Sequence, residues 1–261
     1  MPARETAPRR RSRPWTARRE RTGERLAAGG AAAALELCDL FQEAAVEHAE
    51  RLGCSIAALN QLGLTWVLLR LDVEVEPAAV WRGPLVVTTW PSAARGLFAL
   101  RDFEAAGDAG PIARATSAWC ALDLATRRPA RLPSSVRAIQ PPHRPRALER
   151  RFRRPPAPDR PERSLRLRVA EADLDVNRHV NHVRYLRWAL TSLPEEWREG
   201  AGFAGLEAEF LAETSLGEEL VADVARRPAD GGGTEARHLV ATAGGRAVAR
   251  VLTRWRRPAA P

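Results

Sequence analysis

The sequence predicts an α+β fold of two tandem units, each a strand, one long helix and an antiparallel meander. Three observations carry this expectation. A stretch rich in small residues, Ala31–Arg51, has helical character and is followed by four strand-like runs. The same order returns at a spacing of about 140 to 150 residues. Between the copies lies a segment dense in proline and arginine.

The elements follow from local chemistry. Residues 1–13 read as a disordered basic tail, and Thr16–Arg21 as a first strand. In the helix over Ala31–Arg51, Ala33, Leu35, Cys38, Leu40 and Phe41 begin the apolar content and Ala44, Ala45 and Ala49 continue it; small residues dominate, so a sheet can approach closely, and Gly53 closes the helix. Strands are expected over Trp66–Val75, Leu85–Trp90, Leu97–Glu104 and Ile112–Leu124, with Pro77, Gly83-Pro84, Pro91 and Gly107/Gly110 as turns. Residues 139–163 hold seven prolines, which fix φ and remove donors, so a semi-rigid linker is expected. A strand then runs from Ser164 to about Ala172, a helix from Asn181 to Leu193, and strands over 206–213, 219–226, 237–243 and 247–255. The expected units are therefore 14–138, the linker 139–163, and 164–257.

Composition narrows the class. The chain has 261 residues and 45% hydrophobic content, ordinary for a globular protein. It lacks an apolar run long enough to span a bilayer, and its start lacks the apolar core of a secretory signal. Cys38, Cys54 and Cys120 are far apart and odd in number, which points to reduced thiols and a cytoplasmic protein rather than a disulfide framework or zinc site. The net charge of +9 is uneven: residues 1–26 carry +6, residues 137–168 carry +8, and the remainder carries −5. All the basic residues are arginine. Such segments suit solvated charge, an acidic partner or nucleic acid, but no base-stacking platform accompanies them.

The most informative segment is Glu171–Trp188. Asp175, Asn177 and His179 alternate, so an extended backbone would turn their polar groups to one side. Val183, Leu186 and Leu190 then recur at helical spacing. A carboxylate, an amide and an imidazole would thus gather where a strand hands over to a helix. Helix starts offer N–H groups and partial positive charge to a developing oxyanion. On spacing alone, Asp and Asn read more often as turn or cap residues.

The string DLDVNRHVNHVRYLRW over Asp173–Trp188 resembles the acyl-acyl-carrier-protein thioesterases. Trp66–Arg70, Thr89-Trp90-Pro91, Leu97–Phe103, Ala113–Trp119 and Arg128–Pro133 resemble the first half of the same family. The resemblance runs from about Trp15 to about Trp255. It implies a double hotdog, two helix-wrapped antiparallel sheets in tandem. It also implies hydrolysis of fatty acyl-acyl-carrier-protein, ending chain elongation in fatty acid biosynthesis, with acyl carrier protein as the acidic partner and no cofactor or metal.

By that resemblance Asp175, Asn177 and His179 match catalytic positions, and Glu213 is the fourth; without it, Glu213 would read as a surface glutamate. Asp175 would act as nucleophile or as general base for water, Asn177 and His179 would hold the carbonyl and attacking group, and Glu213 would orient or deprotonate the water. N–H groups near Val180 and Asn181 would complete an oxyanion hole. Plant members carry a cysteine after this Glu; here Thr214 takes its place, which argues against a cysteine mechanism. The first half offers only Leu26–Ala33 at the equivalent place, so one site per chain is expected, with the first half shaping the acyl tunnel. His182, where relatives often carry Asn, reads either as a helix residue or as a group that perturbs His179; His48 reads as a partly buried helix residue and His238 as the start of a strand. An acyl-coenzyme A thioesterase on the same fold, and a non-catalytic acyl- or nucleic-acid-binding protein, are the alternatives. Either a monomer or a homodimer fits.

Overall fold

A computed structural model describes residues 9–20, 30–77, 79, 83–149, 151–174, 180–200, 202–229 and 232–256. In chain order the elements are β1 (Arg10–Arg11), β2 (Trp15–Arg19), α1 (Gly30–Arg51), α2 (Ile56–Asn60), β3 (Leu64–Val75), β4 (Leu85–Arg95), β5 (Phe98–Gly107), β6 (Gly110–Asp123), β7 (Pro129–Ala130), α3 (Ser134–Arg137) and β8 (Ile139–Gln140). The second half continues with β9 (Arg163–Arg168), a 3₁₀ turn (Glu171–Asp173), α4 (His182–Thr191), α5 (Glu195–Gly200), β10 (Gly202–Phe210), β11 (Glu219–Pro228), β12 (Thr234–Thr242) and β13 (Ala247–Arg256).

The strands order as β2-β4-β5-β6-β3-β10-β13-β12-β11-β9, with β7 beside β6, in one antiparallel sheet of eleven strands among the described residues. Each half has the same internal order, and the strand following each long helix, β3 or β10, lies at the centre. The halves are therefore joined edge to edge, with Gly205 opposite Glu74 and Glu209 opposite Arg70. Pairing these edges removes two unsatisfied rows of backbone groups. This is the tandem hotdog.

Both long helices lie on one face of the sheet and share one apolar core. Leu37, Cys38, Phe41 and Ala44 of α1 are buried with Leu186, Ala189 and Leu190 of α4 and with Val73 and Leu206 from the central strands. A fully buried Phe41 contributes about 1.5–3 kcal/mol. Helix α1 stops as expected: Gly53 adopts φ +64°, and its N–H reaches the Glu50 carbonyl at 2.9 Å.

Several expectations need correction. Arg10–Arg11 pair in parallel with Ile139–Gln140, and Ser12 Oγ donates to the Gln140 carbonyl at 3.0 Å, so residues 9–13 are ordered. Pro91 is not a turn; it lies within β4 at a register shift beside Ala93, where a bulge accepts a residue without an N–H. His238 does not begin a strand but sits fully buried in the middle of β12, between Ser192 and Thr253. His48 is buried rather than partly so. The proline-rich segment starts beside α1, where Ile139 packs with Leu52 and Leu59, and its Arg146 and Ala147 reach the buried Asp102 of β5. Asp102, with no exposed surface, accepts from Arg146 Nε at 2.7 Å, Thr116 Oγ1 at 2.7 Å, Ser92 Oγ at 2.9 Å and the Ala147 N–H at 2.9 Å.

At the seam, a Cβ on Gly205 would overlap the carbonyl oxygen of Val73. Gly205→Ala is expected to cost about 2 kcal/mol by forcing the central strands apart. Chemical denaturation measures this; an unchanged midpoint would show that the seam tolerates the methyl.

Candidate active site

Three of the four residues expected to act, Asp175, Asn177 and His179, lie outside the described residues. Their flanks are fixed. Leu174 and Val180 form an antiparallel bridge. The expected strand ends early, at Arg168, and a 3₁₀ turn follows, where the Asp173 carboxylate accepts the Ala170 N–H at 2.9 Å.

Helix α4 begins just after the bridge. Asn181 is its N-cap, and its Oδ1 accepts the Val183 N–H at 3.0 Å while its carbonyl accepts the Arg184 N–H at 2.8 Å. Two of the first N–H groups are thus satisfied within the helix start and are not free to bind an oxyanion. The buried face of α4, Val183, Tyr185, Leu186, Ala189 and Leu190, holds this start against the sheet. His182 stands edge-on to Phe210 of β10 and to Trp119 of the first half, with ring centroids 5.7 and 6.4 Å away. Burial pushes its pKa down to about 4, so the ring is neutral at neutral pH.

Glu213 lies on the loop after β10. The loop is fastened from three sides. Tyr185 Oη accepts the Thr214 N–H at 3.0 Å and lies 3.0 Å from the Thr214 hydroxyl. Arg246 donates to the Glu213 carbonyl at 3.2 Å and to Glu218 Oε1 at 2.8 Å. Arg127, from the first half, pairs with the Glu213 carboxylate. Thr214 is buried with its hydroxyl on a phenol rather than a base, which leaves it unactivated as a nucleophile.

These groups face one cavity. A space of about 780 Å³ is lined by Asn181, His182, Tyr185 and Glu213 from the second half and by Trp66, Trp119 and Arg127 from the first. Trp66 and Trp119, with Gln42 and Ile56, also line a second, smaller space of about 180 Å³ between α1 and the first half-sheet. Its walls are mainly apolar, including Ala45, Leu52 and Val136. A chamber of mixed walls that holds a carboxylate therefore adjoins a greasy pocket, an arrangement suited to a ligand with a reactive polar head and a hydrocarbon tail. Sequence reasoning missed Arg127, Tyr185 and Arg246. Only contacts between distant residues identify them.

Two outcomes follow. Tyr185→Phe leaves the buried Thr214 N–H unpaired, costing about 1–3 kcal/mol and loosening the Glu213 loop; thermal unfolding and loop protection from hydrogen exchange measure it, and wild-type values for both would contradict the role. His182→Asn leaves any pH–rate profile unchanged between pH 6 and 8, because the ring is already neutral there. The unfolded chain takes up that proton near 6.5 and the folded chain only near 4, so the stability of the neutral, half-buried ring is present above 6.5 and lost as pH falls across that window. A His182-dependent inflection near pH 7 would contradict its desolvation.

Comparison with known proteins places this architecture. The family model of the acyl-ACP thioesterase N-terminal domain matches residues 27–140, and that of the C-terminal domain matches residues 157–257. A chloroplastic palmitoyl-acyl carrier protein thioesterase of Cuphea hookeriana is 30% identical over 231 residues, covering 83% of this chain and 56% of the relative. The chain thus spans about half the length of the curated relatives it matches. Among solved structures, an acyl-ACP thioesterase from Bacteroides thetaiotaomicron superposes with a TM-score of 0.76 at 25% identity, covering 93% of this chain and 97% of the other. The 12:0-ACP thioesterase from Umbellularia californica superposes at 0.79 with 23% identity, covering 94% of each chain, a likeness of fold. With both domain models matched in order across two hotdog units, the chain belongs to the acyl-ACP thioesterase family.

Proposed function

We propose that this protein hydrolyses the thioester of fatty acyl-acyl-carrier-protein and releases free fatty acid. The observation that supports this best is the paired cavity: a chamber of mixed walls containing Glu213 and the start of α4, sharing Trp66 and Trp119 in its lining with a mainly apolar pocket. The tail would lie in the first half and the carbonyl beside the second. Among the described residues no helix is long and apolar enough to cross a membrane, and all three cysteines are free and buried, which suits a reducing cytoplasmic setting.

The chemistry is a net addition of water. An oxygen attacks the carbonyl carbon, the C–S bond breaks, and the carrier thiol leaves with a proton. Asp175 delivers the attack, as nucleophile or as base for water. Asn177 and His179 hold the carbonyl and the attacking group. Glu213 orients or deprotonates the water. We assign one such site per chain, in the unit 164–257, with 14–138 shaping the tunnel and 139–163 connecting them. The carrier is acidic, and the arginine-rich linker offers it a surface, although Arg146 and Arg154 already engage Asp102 and Glu209.

Purified protein assayed side by side with acyl-carrier-protein and coenzyme A thioesters of one chain length tests the reading. Higher kcat/KM on the carrier protein is expected, falling with salt as charge attraction is screened. Preference for coenzyme A would assign the alternative substrate. Asp175→Asn and His179→Ala are each expected to lower turnover at least about a hundredfold. Folded variants with undiminished turnover would refute the assignment.

A further inference from the structure

Arg127 is, among the described residues, the one non-glycine residue with a left-handed backbone, at φ 57°. It stands on the turn between β6 and β7. Asp123 builds that turn: its Oδ1 accepts the Ala125 N–H at 3.1 Å, the Thr126 N–H at 2.8 Å and the Thr126 hydroxyl at 3.0 Å, and its carbonyl accepts the Arg127 N–H at 2.9 Å. A residue with a Cβ in this conformation costs about 1 kcal/mol or more relative to glycine. Glycine is therefore the residue that stability alone would select here.

The side chain explains what stability does not. The Arg127 guanidinium crosses from the first half to the second and pairs with Glu213 Oε2. The side chains are 44% and 46% exposed, and ion pairs of that kind contribute only about 0–1 kcal/mol. The pair does no more than offset the backbone cost. Strain held without a stability gain is a mark of a site with another task. Both residues line the large cavity. The other two fasteners of this loop, Tyr185 and Arg246, hold Thr214, Glu218 and the Glu213 carbonyl, whereas Arg127 holds the Glu213 carboxylate itself.

We propose that Arg127 is a positioning residue for hydrolysis: it occupies one carboxylate oxygen of Glu213 and sets the other, Oε1, to receive the hydrolytic water. The first half then supplies a working side chain as well as a tunnel, and the site is complete only across the seam. This inference rests on the role assigned to Glu213 above.

Arg127→Gly separates positioning from structure, because it removes the guanidinium while relieving the backbone. The expected result is an unfolding midpoint equal to or above the parent, a kcat on acyl-acyl-carrier-protein lowered about tenfold or more, and a KM within about twofold. Arg127→Lys should recover part of kcat. In a Glu213→Gln background, Arg127→Gly should have no further effect on kcat. Full kcat in Arg127→Gly beside an impaired Glu213→Gln would overturn this inference and leave the Glu213 assignment standing. Full kcat in both would overturn the two together. A raised KM at unchanged kcat would mean that Arg127 binds the carrier, and would also overturn it.

Discussion

The antiparallel pairing of β3 with β10 is the constraint on which the rest of the molecule depends. Each strand would be the exposed edge of a half-sheet if its unit stood alone, with a row of unpaired backbone groups. Joined, they make one sheet, set α1 and α4 side by side on the same face, and merge two small cores into one. The pairing also sets which residues meet. Arg70 falls opposite Glu209, and Phe210, one residue further, closes on His182 while the loop beyond it carries Glu213 toward Arg127. Gly205 shows how tight this contact is, since its missing side chain leaves room for a backbone carbonyl.

Two copies of one topology carry different side chains. The first half contributes an α1 face in which five of the twelve buried residues are alanine, and beside it a pocket with walls of Ala45, Leu52 and the two tryptophans. The second half has a shorter helix whose start is bound to a polar segment, and a loop fastened by Tyr185 and Arg246. A hydrocarbon chain needs the former and a hydrolysed carbonyl needs the latter. The two chambers share Gln42, Ile56, Trp66 and Trp119 in their walls, and Trp119 meets His182 edge-on across the seam. On the proposed function, the division of labour follows from which half has room for a tail and which holds the polar groups.

What could be read from sequence was what is local. The period of α1, the glycine that ends it, and the runs of Val, Leu and Thr in β3 and β11 fix elements by neighbours a few residues apart, and these expectations match to within a few residues. Pro91 misled because proline usually breaks a strand, yet a bulge accommodates it. Helix α2 escaped notice because five residues give too little periodicity, even with Ser55 capping it at 3.2 Å. Arg10–Arg11 and the Asp102 cluster depend on partners far away in the chain, so no local pattern announces them. The candidate site shows the same division. The polar string from Asp173 and the Glu213 loop stood out through a family pattern, whereas Arg127, Tyr185 and Arg246 are defined by contacts that only folding creates.

The central claim is spatial: one ligand occupies both halves, tail in the first and carbonyl beside the second. A crystal structure with a non-hydrolysable acyl thioester analogue tests this directly. The account predicts hydrocarbon density between α1 and the first half-sheet, running past Trp66 and Trp119, with the carbonyl in the chamber between Glu213 and Asn181. Density for the chain on the opposite face of the sheet, or confined to the second half, would contradict it.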